Sequence, residues 1–357
     1  MRLSLCESSD WPVELREAWS ALVDDAPEAT PFQTWEWLST WWRHFGRGKR
    51  AHIVQFWDGN TLVGLMPMVR VKRTWSSLRA MGAGPSDYLH PVAKAGFEEA
   101  VASALTTYLA DVQGVDLVDL HQIREDRALA AALPETALRA QARCLVLDLP
   151  TTYEAFVDSL SKSLRYDVRR MDKPAFAEGG ARIRTLEPAE LQTGLDAFFE
   201  THRKRWRKRG LPGAFVGKRI QAFHADWLDL AGPRGWVWLS VLESDGKTAG
   251  TLYALRLHRT CYFYQAGFDP SFSALSPGTV LVAHTIRLAI ENRLERFDFL
   301  RGDEPYKRRW KPQNIYANQR FLLARTPTVG AAGLRWIERA ARVEGRVRDR
   351  LEGKGLR

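Results

Sequence analysis

The densest set of residues that could do chemistry lies between Phe297 and Trp310. An apolar run that predicts a strand ends at Leu300, and a charged turn follows it. Strand ends in α/β sheets are where ligands usually bind. Asp303 or Glu304 is therefore predicted to act as a general base, and Lys307 to stabilise a developing oxyanion. The alternative is a surface turn whose charges only pair with one another.

A second candidate segment runs from Ala266 to Leu281. Ser276 predicts the N-cap of a helix, and Pro277 fits its first turn. The free N–H groups and positive dipole end of such a terminus can hold an anion, such as a cofactor phosphate. An ordinary capped helix would have the same sequence, so this alternative stays open.

Two basic stretches predict helices. Arg165 and Arg169 stand four residues apart and therefore share a helical face. Leu164, Val168 and Met171 form the apolar face of the same helix. Guanidinium groups suit phosphate because their planar fork is bidentate. Residues 203–209 form a second basic cluster. Either cluster could equally be a solvated helix surface.

The elements that must position these residues recur along the chain. Residues 52–71 and 236–257 each read as a strand, a Gly-containing tight turn, and a second strand that opens on Gly64 or Gly250. Turns of this kind between apolar runs are a strong hairpin signal. Each hairpin precedes a predicted helix and strand, at 97–111 and Val115–Leu120, and at 278–292 and Arg296–Leu300. The shared order predicts tandem α/β domains, with chance recurrence as the alternative.

The chain of 357 residues is long enough for about two domains. We expect boundaries at 1–150, 151–330 and 331–357. The last segment predicts one amphipathic helix, from Gly333 to about Leu351. Its apolar stripe would be Trp336, Ala340, Val343, Val347 and Leu351. Such a helix packs across a domain by default, but basic amphipathic helices also bind anionic membrane surfaces.

Composition limits the class of protein without naming a partner. The net charge of +10 suits a nucleic acid, a membrane surface or an anionic substrate. Cys6, Cys144 and Cys261 form neither a disulfide framework nor a metal-ligand pattern, so no metal is predicted. The sequence shows no signal peptide and no apolar run approaching the ~20 residues of a membrane span. It therefore predicts a cytoplasmic protein, peripheral to the inner membrane face if its last helix binds lipid.

The segment Phe297–Trp310 closely resembles the signature of a bacterial GNAT-like family. Its members are described as acetyltransferases of cellulose or exopolysaccharide biosynthesis. Shorter similarities extend over nearly the whole chain, at Pro31–Trp37, Ser86–Leu89, Leu164–Arg170, His202–Trp206, Gly210–Phe215 and Tyr264–Thr279.

The architecture is also similar to that of the Fem-type peptidyltransferases, which pair two GNAT-like domains and use an aminoacyl-tRNA donor. Tyr306 and Lys307 match the aromatic–lysine pair of their motif, which implies that Lys307 contacts a donor carbonyl or phosphate. The chain departs from these patterns twice. Lys311 follows Trp310 where a glycine is usual, and the Gly-rich pyrophosphate loop of GNAT enzymes is reduced to Ser276–Thr279.

Together these resemblances imply an α/β (α+β) fold of two GNAT-like domains with mixed, mostly antiparallel sheets. The second domain would bind the donor and catalyse, while the first is degenerate, because only His121-Gln122-Ile123 follow its last predicted strand. The implied catalytic residues are Glu304, Asp303, Lys307 and Tyr306. The implied cofactor-binding residues are Ser276, Gly278, Thr279 and Arg301, and the substrate-binding residues are Arg165, Arg169, Tyr264, Asp269 and Trp310.

The implied reaction moves an acyl group, acetyl above all, from acyl-CoA to an amine or hydroxyl of a small-molecule or saccharide acceptor. An acyl carrier protein or a tRNA could carry the donor instead. The alternatives are a Fem-like aminoacyl-tRNA-dependent transferase, using the two basic helices, and an inactive scaffold that binds a partner or a membrane surface.

If Lys307 is an exposed turn residue, Lys307→Met should lower activity without changing the melting temperature.

Overall fold

The computed structural model describes residues 1–170, 176 and 180–340. The strands are β1 (Arg2–Ser8), β2 (Arg50–Asp58), β3 (Thr61–Lys72), β4 (Ser76–Ala80), β5 (Val92–Ala93), β6 (Leu117–Arg124), β7 (Leu138–Asp148), β8 (Ala181–Thr185), β9 (Val237–Ser244), β10 (Lys247–Leu257), β11 (Thr260–Phe268), β12 (Arg296–Arg301) and β13 (Asn314–Ala324). The helices are α1 (Arg16–Asp24), α2 (Trp35–Phe45), α3 (Glu98–Asp111), α4 (Ala128–Ala132), α5 (Tyr153–Ser159), α6 (Lys162–Arg170), α7 (Leu191–Lys208), α8 (Lys218–Ala231), α9 (Pro277–Glu291) and α10 (Pro305–Arg308). Short 3-10 helices cover Val13–Leu15, Pro31–Gln33, Glu135–Ala137, Pro188–Glu190 and Pro270–Leu275.

The first compact unit comprises Met1–Ala142 and Tyr316–Arg357. Its strands pair in the order β1-β2-β3-β4-β6-β13, with β5 also on β3. All these neighbours are antiparallel except β4 and β6, which are parallel. Helix α3 buries Val101, Leu105 and Leu109, spaced four apart on one face, in the core of this unit.

The second unit comprises Arg143–Ile315. Its strands pair in the order β7-β12-β11-β10-β9-β8, antiparallel except for the parallel pair β11 and β12. Helix α9 is buried along most of its length, with Val280, Leu281 and Ile286 among its core residues. The prediction of mixed, mostly antiparallel α/β sheets is therefore confirmed in both units.

The predicted recurrence is present as a common order of elements. The first unit has the hairpin β2–β3, strand β4, helix α3 and strand β6, and the second has β9–β10, β11, α9 and β12. The strand after the helix lies parallel to the strand after the hairpin, β6 to β4 in the first unit and β12 to β11 in the second. That third strand, β4 or β11, is the element that the hairpin pattern did not predict.

Two glycines hold equivalent places in this repeat. A Cβ atom on Gly64 in β3 would overlap Cγ2 of Val101 in α3. A Cβ atom on Gly250 in β10 would lie 3.0 Å from Cβ of Pro277 in α9. Both positions use glycine because a helix approaches the strand closely there.

The unit boundaries differ from the expected domain limits of 150 and 330. The second unit begins at Arg143 and ends at Ile315, and the chain then returns to the first unit. The reason is strand pairing, because β13 pairs with β6 in the register Phe321↔Leu120. Nothing local in the sequence of β13 specifies so distant a partner.

The predicted C-terminal helix is seen only in part. Residues 329–340 are helical, and the remainder of the predicted stripe, from Val343 to Leu351, lies outside the described residues. Within them the predicted face is wrong, because Trp336 is 62% exposed whereas Ile337 is buried. Ile337 packs with Leu117 and Leu322, so tertiary contacts in the first unit choose the buried face.

Within the described residues, no helix combines the length and hydrophobicity that crossing a membrane requires.

Candidate active site

A cavity of about 300 Å³ opens in the second unit where β11 and β12 separate. Their parallel pairing covers Thr260 to Tyr262 and does not continue beyond it. We call this space the α9 cavity. Its lining comprises Arg205, Arg209, Phe263, Ala266, Phe268, Ser273, Ser276, Pro277, Gly278, Thr279, Val282, Tyr306, Arg309 and Trp310. Five segments therefore meet here: the end of α7, the end of β11, the 3-10 helix Pro270–Leu275, the beginning of α9 and the turn after β12.

The inner walls of the α9 cavity are largely apolar. Ala266 and Phe268, two apart on β11, present the same strand face to it. Trp310 closes another side and stacks on Phe156, with ring centroids 6.2 Å apart and an interplanar angle of 11°. Such a slot suits a flexible apolar chain better than a charged group.

Arginines surround the cavity. Arg205 donates from Nη1 to the carbonyl oxygen of Ala266 at 3.0 Å, and its guanidinium lies over the ring of Phe268. Arg309 pairs with Asp167 at 3.1 Å. Arg209 lies over Trp206. An apolar slot bordered by cations matches a ligand with an apolar arm and an anionic end.

The beginning of α9 supplies the fourth side. Ser276 stands at the N-cap position with a left-handed backbone, φ 52° and ψ 53°, and its side chain makes no capping hydrogen bond. The predicted side-chain cap is thus wrong, and the strained backbone is of the kind that clusters at binding sites. A Cβ atom on Gly278 would meet nothing within 4 Å, so the helix start opens onto free space. No acidic residue occupies the first turn.

The charged turn after β12 is more ordered than its sequence suggests. Lys307 is only 3% exposed and donates to the carbonyl oxygens of Arg301 at 2.7 Å and Gly302 at 3.2 Å. It also pairs with Glu304 at 3.0 Å. The ammonium group therefore holds the turn together, and Lys307 does not line the α9 cavity. Arg301, exposed at the end of β12, does not line it either.

The two carboxylates in this turn differ. Both oxygens of Asp303 accept hydrogen bonds from Arg308 at 2.5 Å, and these bonds, with the charges of Arg308 and Arg143, hold its pKa below the ordinary value. The Glu304 side chain is 51% exposed, with Lys307 as its ion-pair partner. Glu304 is thus the freer of the two candidate bases.

Tyr306 links this turn to the cavity that it lines. Burial, followed by the negative charge of Glu304, raises its pKa well above the ordinary value. The hydroxyl is therefore protonated at neutral pH and can serve as a proton donor but not as a base.

Asp303 and Glu304 do not line the cavity, and neither do the remaining residues that the resemblance implied. Arg165 donates to the carbonyl oxygens of Asp158 and Leu160, and Arg169 pairs with Asp158 at 3.1 Å. Both hold the end of α5. Asp269 caps the 3-10 helix that follows it and pairs with Lys204 at 2.9 Å.

Tyr264 belongs to a buried aromatic cluster, with its hydroxyl 3.4 Å from Nε2 of His224. Buried histidines of this unit are weak bases, because burial lowers the pKa of His202 to about 4 and that of His224 to about 3.

Among the described residues, no group of three or more His, Cys, Asp or Glu side chains is arranged to hold a metal ion.

Sequence reasoning missed several residues that form this site. Phe263, Phe268 and Arg309 line the cavity but were not singled out. Arg170 is a further omission, because it donates to the carbonyl oxygens of Ala274 and Leu275 and so fixes the loop before α9. The spacing of Ala266 and Phe268 on one strand face was an available signal. No sequence signal predicted the contacts of Arg170, because they join segments about 100 residues apart.

Comparison with known proteins agrees with this geometry. Residues 162–308 match the Acetyltransferase (GNAT) domain family. Among proteins of curated function, none matches the sequence significantly.

Solved structures with a similar fold cover nearly the whole chain. FemX has a TM-score of 0.64 at 11% identity, covering 89% of this chain and 97% of its own. The L-PGS structure from Bacillus licheniformis has a TM-score of 0.55 at 13% identity, covering 93% of this chain and 97% of its own. The C-terminal domain of a putative lysylphosphatidylglycerol synthetase from Agrobacterium fabrum has a TM-score of 0.55 at 14% identity, covering 90% and 95%. The match therefore places a GNAT-type acyltransferase domain at residues 162–308.

Proposed function

We propose that the α9 cavity binds an acyl-CoA donor, acetyl-CoA above all, and that the second unit transfers its acyl group to an amine or hydroxyl acceptor. The observation that carries the proposal is the cavity itself, with apolar walls, an arginine border and an acid-free helix start. The pantetheine arm and acyl group would lie between Phe268 and Trp310. The phosphates would lie at Gly278 and Thr279, where helix N–H groups and Arg209 favour negative charge.

The proposed chemistry is direct transfer. An acceptor amine attacks the thioester carbonyl carbon, a new C–N bond forms, and Glu304 takes the amine proton. The C–S bond then breaks, Tyr306 protonates the departing thiolate, and the proton on Glu304 restores Tyr306. With a hydroxyl acceptor, a C–O bond forms by the same proton movements. A positioned general base typically contributes about 10²–10⁴-fold to the rate.

Lys307 has a different part in this proposal from the one that the family motif implies. It positions Glu304 and the backbone at Arg301 and Gly302, and its action on the oxyanion stays a prediction. Asp303 is the less suitable base, because its charge is already committed to Arg308. Arg165, Arg169, Tyr264 and Asp269 remain predicted substrate contacts that would require an acceptor to reach beyond the cavity.

The acceptor is proposed to be a saccharide or another small molecule of the cell envelope or an exopolysaccharide. This part rests on the resemblance of Phe297–Trp310 to the cellulose and exopolysaccharide acetyltransferases. The first unit is proposed to be a degenerate copy without donor binding. We also propose a cytoplasmic location and a peripheral membrane contact through the last helix.

A second candidate is aminoacyl transfer from tRNA. It is favoured by the FemX-like fold and by the basic end of α7, where Arg205, Arg207 and Lys208 occupy the last turn. Acyl transfer from an acyl carrier protein would use the same cavity. A scaffold without activity is the remaining alternative.

Separate titrations of acetyl-CoA, acetylated acyl carrier protein and aminoacyl-tRNA against the full chain test these candidates. We expect acetyl-CoA to bind, and Arg209→Gln to weaken it roughly tenfold while Arg182→Gln does not. Arg182 is the matched control, an exposed arginine of the same unit that pairs with Glu243. Binding of aminoacyl-tRNA alone, with affinity falling steeply as salt rises, would replace the proposal by the second candidate.

A further inference from the structure

We propose that the first unit contains a second anion site, which binds the phosphate groups of a phosphate ester. The site is a cavity of about 710 Å³, here called the basic groove, whose lining carries Lys49, Arg50, Arg70, Lys72 and Arg325. Asp116 is the one acid in that lining among the described residues. This site is independent of the acyltransferase proposal, since it shares no residue with the α9 cavity.

Asp116 and Arg70 form the framework of the groove. The carboxylate of Asp116 accepts hydrogen bonds from the backbone N–H of Ser76 at 2.8 Å and the Thr326 hydroxyl at 3.1 Å. Arg70 donates to the carbonyl oxygen of Gln113 at 3.2 Å and pairs with Glu7 at 3.2 Å. These contacts fix the walls, and no ion pair between described residues compensates the charges of Arg50, Lys72 and Arg325.

The remaining cations converge from three segments. Arg50 begins β2, Lys72 ends β3, and Arg325 follows β13. Arg50 lies directly opposite Arg70 in the β2–β3 register, and Lys72 follows Arg70 on the same strand face. Like charges placed opposite one another destabilise a sheet, and an anion bound between them would offset this cost.

Arg325 adds a buried donor to the groove. Its Nε atom is buried and has no hydrogen-bond partner among the described residues. A buried donor left unpaired is costly, and an anion in the groove would satisfy it. A phosphate fits this role because its oxygens accept several hydrogen bonds at once and arginine binds them in bidentate fashion. Its double charge also offsets the clustered cations better than a single carboxylate would.

The phosphate could belong to a free ester, such as a nucleoside diphosphate, or to a lipid headgroup. Trp75 adjoins Ser76 in the lining, and the 62% exposed Trp336 rests against it with ring centroids 6.0 Å apart. A tryptophan pair with one exposed ring beside cations suits either a stacked base or a membrane interface.

Calorimetric titration of the full chain with inorganic pyrophosphate tests the site. We expect binding that weakens with salt, and a loss of at least roughly tenfold in the double variant Lys72→Gln/Arg325→Gln. The matched control is Lys218→Gln/Arg219→Gln, which removes the same charge from two exposed residues of α8 and should bind as the wild type does. Melting curves of both variants confirm that each is folded.

A second arm identifies the source of the phosphate. Co-sedimentation with phosphatidylglycerol vesicles, compared with phosphatidylcholine vesicles, should depend on Lys72 and Arg325 if the ligand is a lipid headgroup. Pyrophosphate binding without vesicle binding assigns a free ester instead.

Three results would overturn the proposal. One is the absence of binding to both pyrophosphate and phosphatidylglycerol vesicles. Another is an equal loss in the double variant and its control, which would indicate only overall charge. The third is full binding in the double variant with loss in Arg209→Gln, which would place the anion in the α9 cavity and leave the acyltransferase proposal standing.

Discussion

The two units share one order of elements but differ at the point where their parallel strands separate. In the first unit, the segment between β4 and α3 fills this region. Tyr88 in that segment is fully buried, and the backbone N–H of Leu89 donates to the carbonyl oxygen of Gln122 at the end of β6. In the second unit, the corresponding segment forms a 3-10 helix, and the α9 cavity remains open beside it. The same topology thus gives a packed core in one copy and a ligand-sized space in the other.

The helix that follows this segment also differs between the two units, and again only the second unit leaves room for a ligand there. Helix α3 begins with Glu98 and Glu99, whereas α9 begins with Pro277, Gly278 and Thr279. Carboxylates in the first turn interact favourably with the helix dipole and would repel a phosphate from the N–H groups there. An acid-free start leaves the dipole of α9 for a ligand, which is why we assign the donor to the second unit.

The largest expected effect is a loss of catalytic rate in the second unit. Glu304→Gln removes the proposed base and should lower kcat by about 10²–10⁴-fold, and the residual rate should lose the wild-type pH dependence. Steady-state kinetics over pH, with melting temperatures on the same samples, measure both effects.

The control is the same change after β6. Glu125→Gln alters a carboxylate that accepts from the backbone N–H of Ala317 at 2.6 Å, and it should leave kcat unchanged. Asp303→Asn provides a further comparison. If it abolishes activity while Glu304→Gln does not, the base is Asp303, and the freer position of Glu304 is irrelevant.

The next effect concerns stability and distinguishes β6 of the first unit from β12 of the second. Asp119 and Asp298 occupy equivalent register positions on β6 and β12. Burial alone would raise the pKa of Asp119, but hydrogen bonds from His121 and Arg320 hold it well below the ordinary value. Asp298 instead accepts from the backbone N–H of Leu300 at 2.7 Å. Asp119→Asn should therefore cost roughly 3–5 kcal/mol at neutral pH, because it breaks a buried charge pair, with no change in turnover per folded molecule.

The sign of the pH dependence follows from the lowered pKa. Ionised Asp119 stabilises the folded state above its unfolded pKa of about 3.9, and this contribution declines as the pH falls further. Denaturant titrations of the wild type and Asp119→Asn should therefore differ most at neutral pH and converge in acid. A constant difference from pH 7 to pH 3 would mean that the ion pair is not the source.

A smaller loss of stability is expected from Lys307→Met, in the turn after β12. The variant leaves the carbonyl oxygens of Arg301 and Gly302 without their donor, at a cost of roughly 2–4 kcal/mol. The burial of Lys307 thus reverses the expectation from sequence, in which the melting temperature stays unchanged. Chemical denaturation measures the loss, and an unchanged midpoint would show that the ammonium is free to act on a ligand.

The contrast also shows what the sequence could and could not predict. The hairpins, the helices α3 and α9, and the strands β6 and β12 followed from local patterns such as Asp245-Gly246 and the apolar run ending at Leu300. The turn after β12 was located correctly as a feature, because its charge density is a local property. The burial of Lys307 was not predictable, because it depends on carbonyl groups that the bend in the backbone directs toward it. Likewise, the pairing of β13 with β6 joins residues about 200 positions apart.

The smallest effects are expected at the paired glycines, and these test whether the two helices do different work. Gly64→Ala places a methyl group against Val101, and Gly250→Ala places one against Pro277 and Leu281, where the space is less restricted. Overpacking of this kind costs roughly 1–3 kcal/mol, so Gly64→Ala should be the more destabilising of the two. Gly250→Ala moves the start of α9 and should raise KM for the donor by a few-fold, because only that helix is proposed to hold phosphate. Gly64→Ala moves α3 and should leave KM unchanged despite its larger effect on melting. If both variants change KM in proportion to their loss of stability, the helix starts are equivalent scaffolding, and the open space beside α9 has no special part in donor binding.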